Sequence, residues 1–301
     1  MSQLSLIIKN EYLTDVKAKS FWISTFLVPV IFILFGGVMG YLFSESDSAM
    51  EMQKAISPEM DSEDMTPLQG VGMMVGVFLT LFIMMYGSTI FQKVKTEKTN
   101  RIVEVLATCV KGRTMMLAKI IAVGLVGITQ LVLWGLLIGI FIAAIVFLFA
   151  PDIPWDEILT YDYIMAVVWG ILYFTGGYIF FGSLFAAVGA MTDKNNENQE
   201  YVAVLTFILM ISFYVGMYAV DHGGTTMVHI LNYIPFTSPT IGAINSITQT
   251  TPLWESILTL VILYAFAWLA MSIAGKIYTS SLLLKGKRFS PNDITTFLKS
   301  K

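Results

Sequence analysis

Six stretches of this chain are long, apolar and free of Asp, Glu, Lys and Arg: Phe21 to Phe43, Val71 to Phe91, Ile120 to Ala150, Tyr163 to Met191, Val202 to Val220, and Ile257 to Gly275. Crossing a hydrocarbon core about 30 Å thick takes roughly 18 to 20 consecutive apolar residues in a helix, and each stretch meets that length. The chain therefore reads as an all-α integral membrane protein with six transmembrane helices, forming one membrane domain over residues 1–301. Charged residues make up 13% of it, against roughly a quarter in soluble domains. The first run is too long for a signal-peptide core and lacks a small-residue cleavage site after it, so it reads as a retained anchor.

The loops orient the spans. With the amino terminus inside, Lys54 is the one Lys or Arg of the 18 that falls outside, and this bias sets the topology: both termini cytoplasmic, in a cell inner membrane. Acidic residues gather outside, from Glu45 to Asp64 and from Asp152 to Asp162, either as a cation-attracting mouth or as plainly solvated loops.

Ahead of the first span, Leu4, Ile8, Tyr12 and Val16 recur at four-residue steps, which predicts an interfacial helix over residues 1–20. GxxxG pairs at Gly36/Gly40, Gly72/Gly76 and Gly135/Gly139 would let helices approach closely. The third run, straight, would measure roughly 46 Å, so it must tilt, kink or extend past the membrane face. Within it Gln130 is a polar amide that bonds a neighbouring helix or lines a pathway. Between the last two spans, residues 221–255 are moderately apolar but broken by Gly223, Gly224, Pro235, Pro239 and Pro252. Interrupted runs of this kind predict short helices that dip into the outer leaflet and return. His222 and His229, seven apart, lack further ligands at suitable spacing, so no metal site is expected. Lys285, Lys287 and Arg288 form a basic cluster suited to anionic lipid.

The densest charge lies in residues 92–113, between the second and third spans. Glu97, Arg101 and Glu104 can pair along one helix face, with Ile102, Val103, Val105 and Leu106 as apolar surface. Two readings fit: a small amphipathic helix seated on a membrane or in a partner's groove, and a solvated loop held inside by its charge. Cys109, the single cysteine, permits no internal disulfide.

Equally informative is what is missing. There is no phosphate-binding G-x-x-x-x-G-K-[ST] loop, no H-E-x-x-H, no nucleophile elbow and no carboxylate inside a predicted span. The chain reads as no enzyme, and a proton-coupled carrier is disfavoured, because such carriers keep ionisable groups within the membrane. What remains is a translocator driven from outside itself, an ATP-independent channel or carrier, or a non-transporting immunity or sensor protein.

The segment Glu97-Lys-Thr-Asn-Arg-Ile-Val-Glu-Val-Leu-Ala-Thr108, followed by Gly112-Arg-Thr-Met-Met-Leu-Ala-Lys119, resembles the pattern E-K-E-x-x-x-x-E-x-L-L-x-[ST] … R-x-x-x-[LM]-x-[GA]-K. That pattern marks membrane subunits of ABC exporters of the ABC-2 permease type, in particular the branch with sodium-efflux permeases. Asn232-Tyr-Ile-Pro-Phe-Thr-Ser-Pro239 resembles the P-x-x-S-P element of the same family. The resemblance implies a homodimer or heterodimer of permease subunits in the membrane, joined to separate P-loop ATP-binding subunits that hold ATP and Mg2+. No cofactor belongs to this chain itself, and no nucleic-acid partner is expected. Carried over by position, Glu97, Arg101, Glu104 and Lys119 would be the coupling residues, and Pro235, Ser238 and Pro239 would belong to an outer re-entrant element near the exit. The implied substrate is Na+ by family branch; a drug, peptide or lipid suits a charge-free interior equally well. The chain differs from the sodium-efflux branch in its short first outer loop.

Overall fold

The computed structural model describes residues 3–44, 66–99, 112–149, 161–192 and 200–283. Among them are nine helices and no strand: α1 Gln3–Lys17, α2 Lys19–Ser44, α3 Pro67–Thr99, α4 Gly112–Phe149, α5 Tyr161–Met191, α6 Glu200–His222, α7 Thr226–Asn232, α8 Ser238–Ile247 and α9 Leu253–Leu283. Five of these, α3, α4, α5, α6 and α9, are long and apolar enough to cross a membrane. The first predicted run forms the 26-residue helix α2, whose described side chains give the shorter apolar segment Lys19–Ile31.

Helix ends follow local chemistry rather than hydropathy. Thr66 and Gln69 form a reciprocal cap at the start of α3: Thr66 N donates to Gln69 Oε1 at 2.8 Å, and Gln69 N to Thr66 Oγ1 at 3.4 Å. Pro67 then occupies the first helical position, where its missing N–H removes nothing. The long third run begins well before Ile120. Gly112 starts α4, and Met115, Met116 and Ala118 are buried against the bundle, so the helix carries Arg113 and Lys119 inside it. It thus extends past the amino-terminal end of the apolar run.

α5 is the hub. It packs against α3 on one side and α9 on another, and also touches α4, α6 and α8. Tyr173, Phe181, Phe185, Ala186 and Ala190 along it are inaccessible to solvent. Two glycines show how tight this is. A Cβ on Gly189 would lie 2.8 Å from the Phe91 carbonyl oxygen of α3, and one on Gly177 would lie 2.6 Å from Pro239 Cβ of α8.

α7 and α8 occupy the predicted outer segment. All ten residues of α8 are buried, because it lies among α3, α5, α6 and α9. Gly72 and Gly76 seat it on the α3 side, where added Cβ atoms would meet Thr248 and Ile244 at 3.1 and 2.7 Å. The other GxxxG pair behaves differently: Cβ atoms on Gly135 and Gly139 would meet nothing within 4 Å.

Candidate functional site

The predicted coupling segment is framed by two continuing helices. α3 carries Gln92 to Thr99, and α4 resumes at Gly112. Arg101, Glu104 and Cys109 lie outside the described residues, as do the acidic residues from Glu45 to Asp64 and from Asp152 to Glu157 and the basic cluster from Lys285 to Arg288; Asp162 begins α5 and accepts a hydrogen bond from Gln249 Nε2 at 2.8 Å.

Glu97 and Lys119 are brought together. Lys119 Nζ, almost fully buried, lies 2.5 Å from Glu97 Oε1 and 2.9 Å from Glu11 Oε1 of α1. Lys93 extends the cluster, with Nζ 2.5 Å from Asp15 Oδ2 and 3.2 Å from Glu11 Oε2. Two lysines and three carboxylates from three helices thus interlock. Burial works to raise the Glu11 carboxyl, but Lys119 and Lys93 outweigh it and hold it below the usual carboxylate range. Glu97 Oε2 and the Tyr278 hydroxyl of α9 are buried neighbours without a well-formed hydrogen bond between them. Further contacts bind the same end: Lys98 Nζ donates to the Ala190 carbonyl at 2.8 Å, and Tyr12 and Thr129 hydroxyls meet at 2.9 Å.

The four-residue repeat correctly gives α1 an apolar face, and Tyr12 and Val16 pack on the core. Its acidic residues carry the information that periodicity misses. Glu11 and Asp15 share the face turned to α3 and α4, and the signal available was their spacing of four opposite two lysines placed inside.

Gln130 accepts a hydrogen bond from the Tyr86 hydroxyl of α3, which is the helix-to-helix alternative of the two readings; its Nε2 is buried without a partner.

In the predicted outer segment, Pro239 lies in the first turn of α8, Ser238 begins that helix, and Pro235 stands in the turn between α7 and α8. Ser238 Oγ, Asn245 Nδ2 and both amide atoms of Asn232 are buried without partners. Around them runs a hydroxyl network: Tyr173 to Thr259 at 2.7 Å, Ser246 to Ser256 at 2.8 Å, Thr80 to Thr240 at 3.1 Å. His229 Nδ1 lies 2.9 Å from Glu255 Oε1, a carboxylate 4% exposed in the first turn of α9. The last apolar run, starting at Ile257, stops short of Glu255, so the helix includes a buried carboxylate that the run excluded. No group of three or more His, Cys, Asp or Glu suited to a metal occurs among the described residues.

A family comparison bears on both ends of the bundle: the model for the ABC-2 family of transporter proteins covers residues 57–276. The chain belongs to the ABC-2 transporter family. As a member it is a multi-pass membrane protein of the permease-subunit type. It is similar to the uncharacterized protein YhaP of Bacillus subtilis, 25% identical over 244 residues, 78% of this chain and 56% of that protein. It is also similar to the uncharacterized protein MJ1024 of Methanocaldococcus jannaschii, 23% identical over 188 residues, 62% of this chain and 43% of that one. The chain spans about half the length of the curated relatives it matches. No solved structure matches it.

Proposed function

We propose that this ABC-2 family member is the permease subunit of an ABC exporter, driven by a separate P-loop ATP-binding subunit that docks on residues 92–113. The observation that carries the reading is the Glu97–Lys119–Glu11 joint beneath that segment. A push on residues 100–111 reaches α3 through Glu97 and α4 through Lys119, and the shared ion pairs oblige both helices and α1 to respond together. ATP and Mg2+ belong to the partner, and a second permease subunit, identical or different, completes the pathway in an inner membrane with both termini cytoplasmic. The substrate classes carried forward are Na+, from the family resemblance, and a drug, peptide or lipid, from the apolar interior.

An adjacent reading frame is expected to encode a soluble P-loop ATPase, and the test is reconstitution with it. The two are expected to co-purify, and a substrate panel should stimulate ATP hydrolysis. Glu97→Lys is expected to abolish stimulation while the permease still inserts. Flux through liposomes holding this chain alone would favour an ATP-independent channel or carrier and overturn the proposal.

A further inference from the structure

Between α3, α4 and α5, at the end of the bundle away from Lys119, lies a cavity of about 550 Å³ lined almost wholly by apolar atoms. The volume falls within the roughly 300–1,000 Å³ of ordinary small-molecule sites. Phe78, Phe82, Trp134 and Phe174 form its walls, with the Trp134 ring edge-on to Phe82 at 5.0 Å between centroids. Gly135 and Gly170 supply the room: a Cβ on Gly135 would meet nothing, and one on Gly170 would stand 3.3 Å from Val75. Val132 and Val167, both exposed, edge the cavity, so it opens sideways from the bundle rather than along a central axis.

Such a space excludes water and ions, because its walls offer them no partners, and it accepts apolar matter. One polar atom breaks the pattern. Trp134, 6% exposed, has a buried indole Nε1 with no acceptor. A buried donor left unmade is costly, roughly 1–3 kcal/mol in general, and an oxygen brought by a ligand would relieve it. Trp134 lies fifteen residues beyond Lys119, about 22 Å along the helix; with Lys119 at the inner boundary, as the loop charges predict, it falls in the outer half of a core about 30 Å thick.

We propose that this cavity is a lateral lipid-binding site. It takes the acyl chain of a membrane lipid entering from the outer leaflet, with an oxygen at the head of the chain accepting from Trp134 Nε1. The aromatic walls hold the chain, and the opening at Val132 and Val167 admits it from the side. The proposal rests on the cavity and stands whether or not ATP drives the protein.

Photoactivatable phosphatidylcholine with a diazirine in one acyl chain, in nanodiscs holding the full chain, tests it by peptide mapping. Peptides with residues 128–135 and 166–174 are expected to label well above those of the exposed α6 face at Val204, Phe207 and Ile211. Gly135→Phe, which grows into open space, should reduce that labelling to the α6 level and leave α6 unchanged. Trp134→Phe should reduce it about fivefold, the factor one net hydrogen bond supplies. Equal labelling of both regions in the parent chain, or labelling indifferent to Gly135→Phe, overturns the site. Cross-linking of Val132→Cys between two copies would show a protein occupant and overturn it as well.

Discussion

Lys119 of α4 and Glu97 of α3 meet 2.5 Å apart, near the ends of the two helices that flank residues 100–111. Glu11 of α1 shares the same ammonium group. One nearly inaccessible cation therefore neutralises carboxylates from two helices, and its removal takes the counter-charge from Glu97 and leaves Glu11 with Lys93 alone.

Lys119→Met is expected to destabilise the folded permease by about 2–3 kcal/mol. This is less than the 3–5 kcal/mol of a fully buried broken pair, because the Glu97 and Glu11 side chains keep 26% and 23% of their exposure. Lys119→Arg should recover most of the loss. Thermal unfolding of the detergent-solubilised protein measures both, and an unchanged midpoint for Lys119→Met would remove the joint's structural role.

Acid should weaken the same joint. The folded Glu11 carboxyl titrates below its unfolded value of about 4.3, so its contribution is complete above that pH and is lost as pH falls through the lower folded value. Melting midpoints followed from pH 7 to pH 3 should fall more steeply for the parent chain than for Glu11→Gln. Parallel curves would show that Glu11 carries no such linkage.

Gly177→Ala would drive a methyl group against the Pro239 ring and against Ile83 Cδ1, at 2.6 and 2.9 Å. A proline ring on a buried helix has little room to yield, so a loss of about 1–3 kcal/mol is expected. Gly135→Ala, entering open space, should be nearly neutral. Equal melting shifts for the two would mean that α8 is not seated as tightly as its contacts with α5 require.

Tyr86→Phe should cost about 1–3 kcal/mol by leaving Gln130 Oε1 without its donor. Adding Gln130→Leu should recover part of that loss, since the orphaned amide leaves too. A double-mutant cycle reads the coupling, and strict additivity would exclude the bond as a helix tie.

The spans were legible because hydropathy alone decides which segments tolerate lipid. Their ends were not: Lys119 interrupts the apolar run but not the helix, since backbone hydrogen bonding continues through any residue whose neighbours pack. Glu255 escaped for the same reason at the start of α9. The broken segment after Val220 was legible as short helices from its prolines, yet the complete burial of α8 within it depends on glycines contributed by α3, α5 and α6. The ionic joint needs three helices to be placed before its charges can be matched, and one-dimensional periodicity cannot pair Glu11 with Lys119. The lateral cavity arises where Gly135 faces space that no neighbour fills, and a missing side chain leaves no mark in a hydropathy trace.

The wedge of α8 bears on how the chain is made. α3, α5 and α6 are all synthesised before Ser238, so a nascent protein halted at His222 has a vacant slot edged by Gly76, Gly177 and Gly216. Only when the following twenty-five residues, through Ile247, have been translated and have turned back does that slot close. Biogenesis is thus completed from the carboxyl-terminal third, and a product interrupted at His222 lacks α7, α8 and α9, including the short helix that fills the slot between α3, α5 and α6.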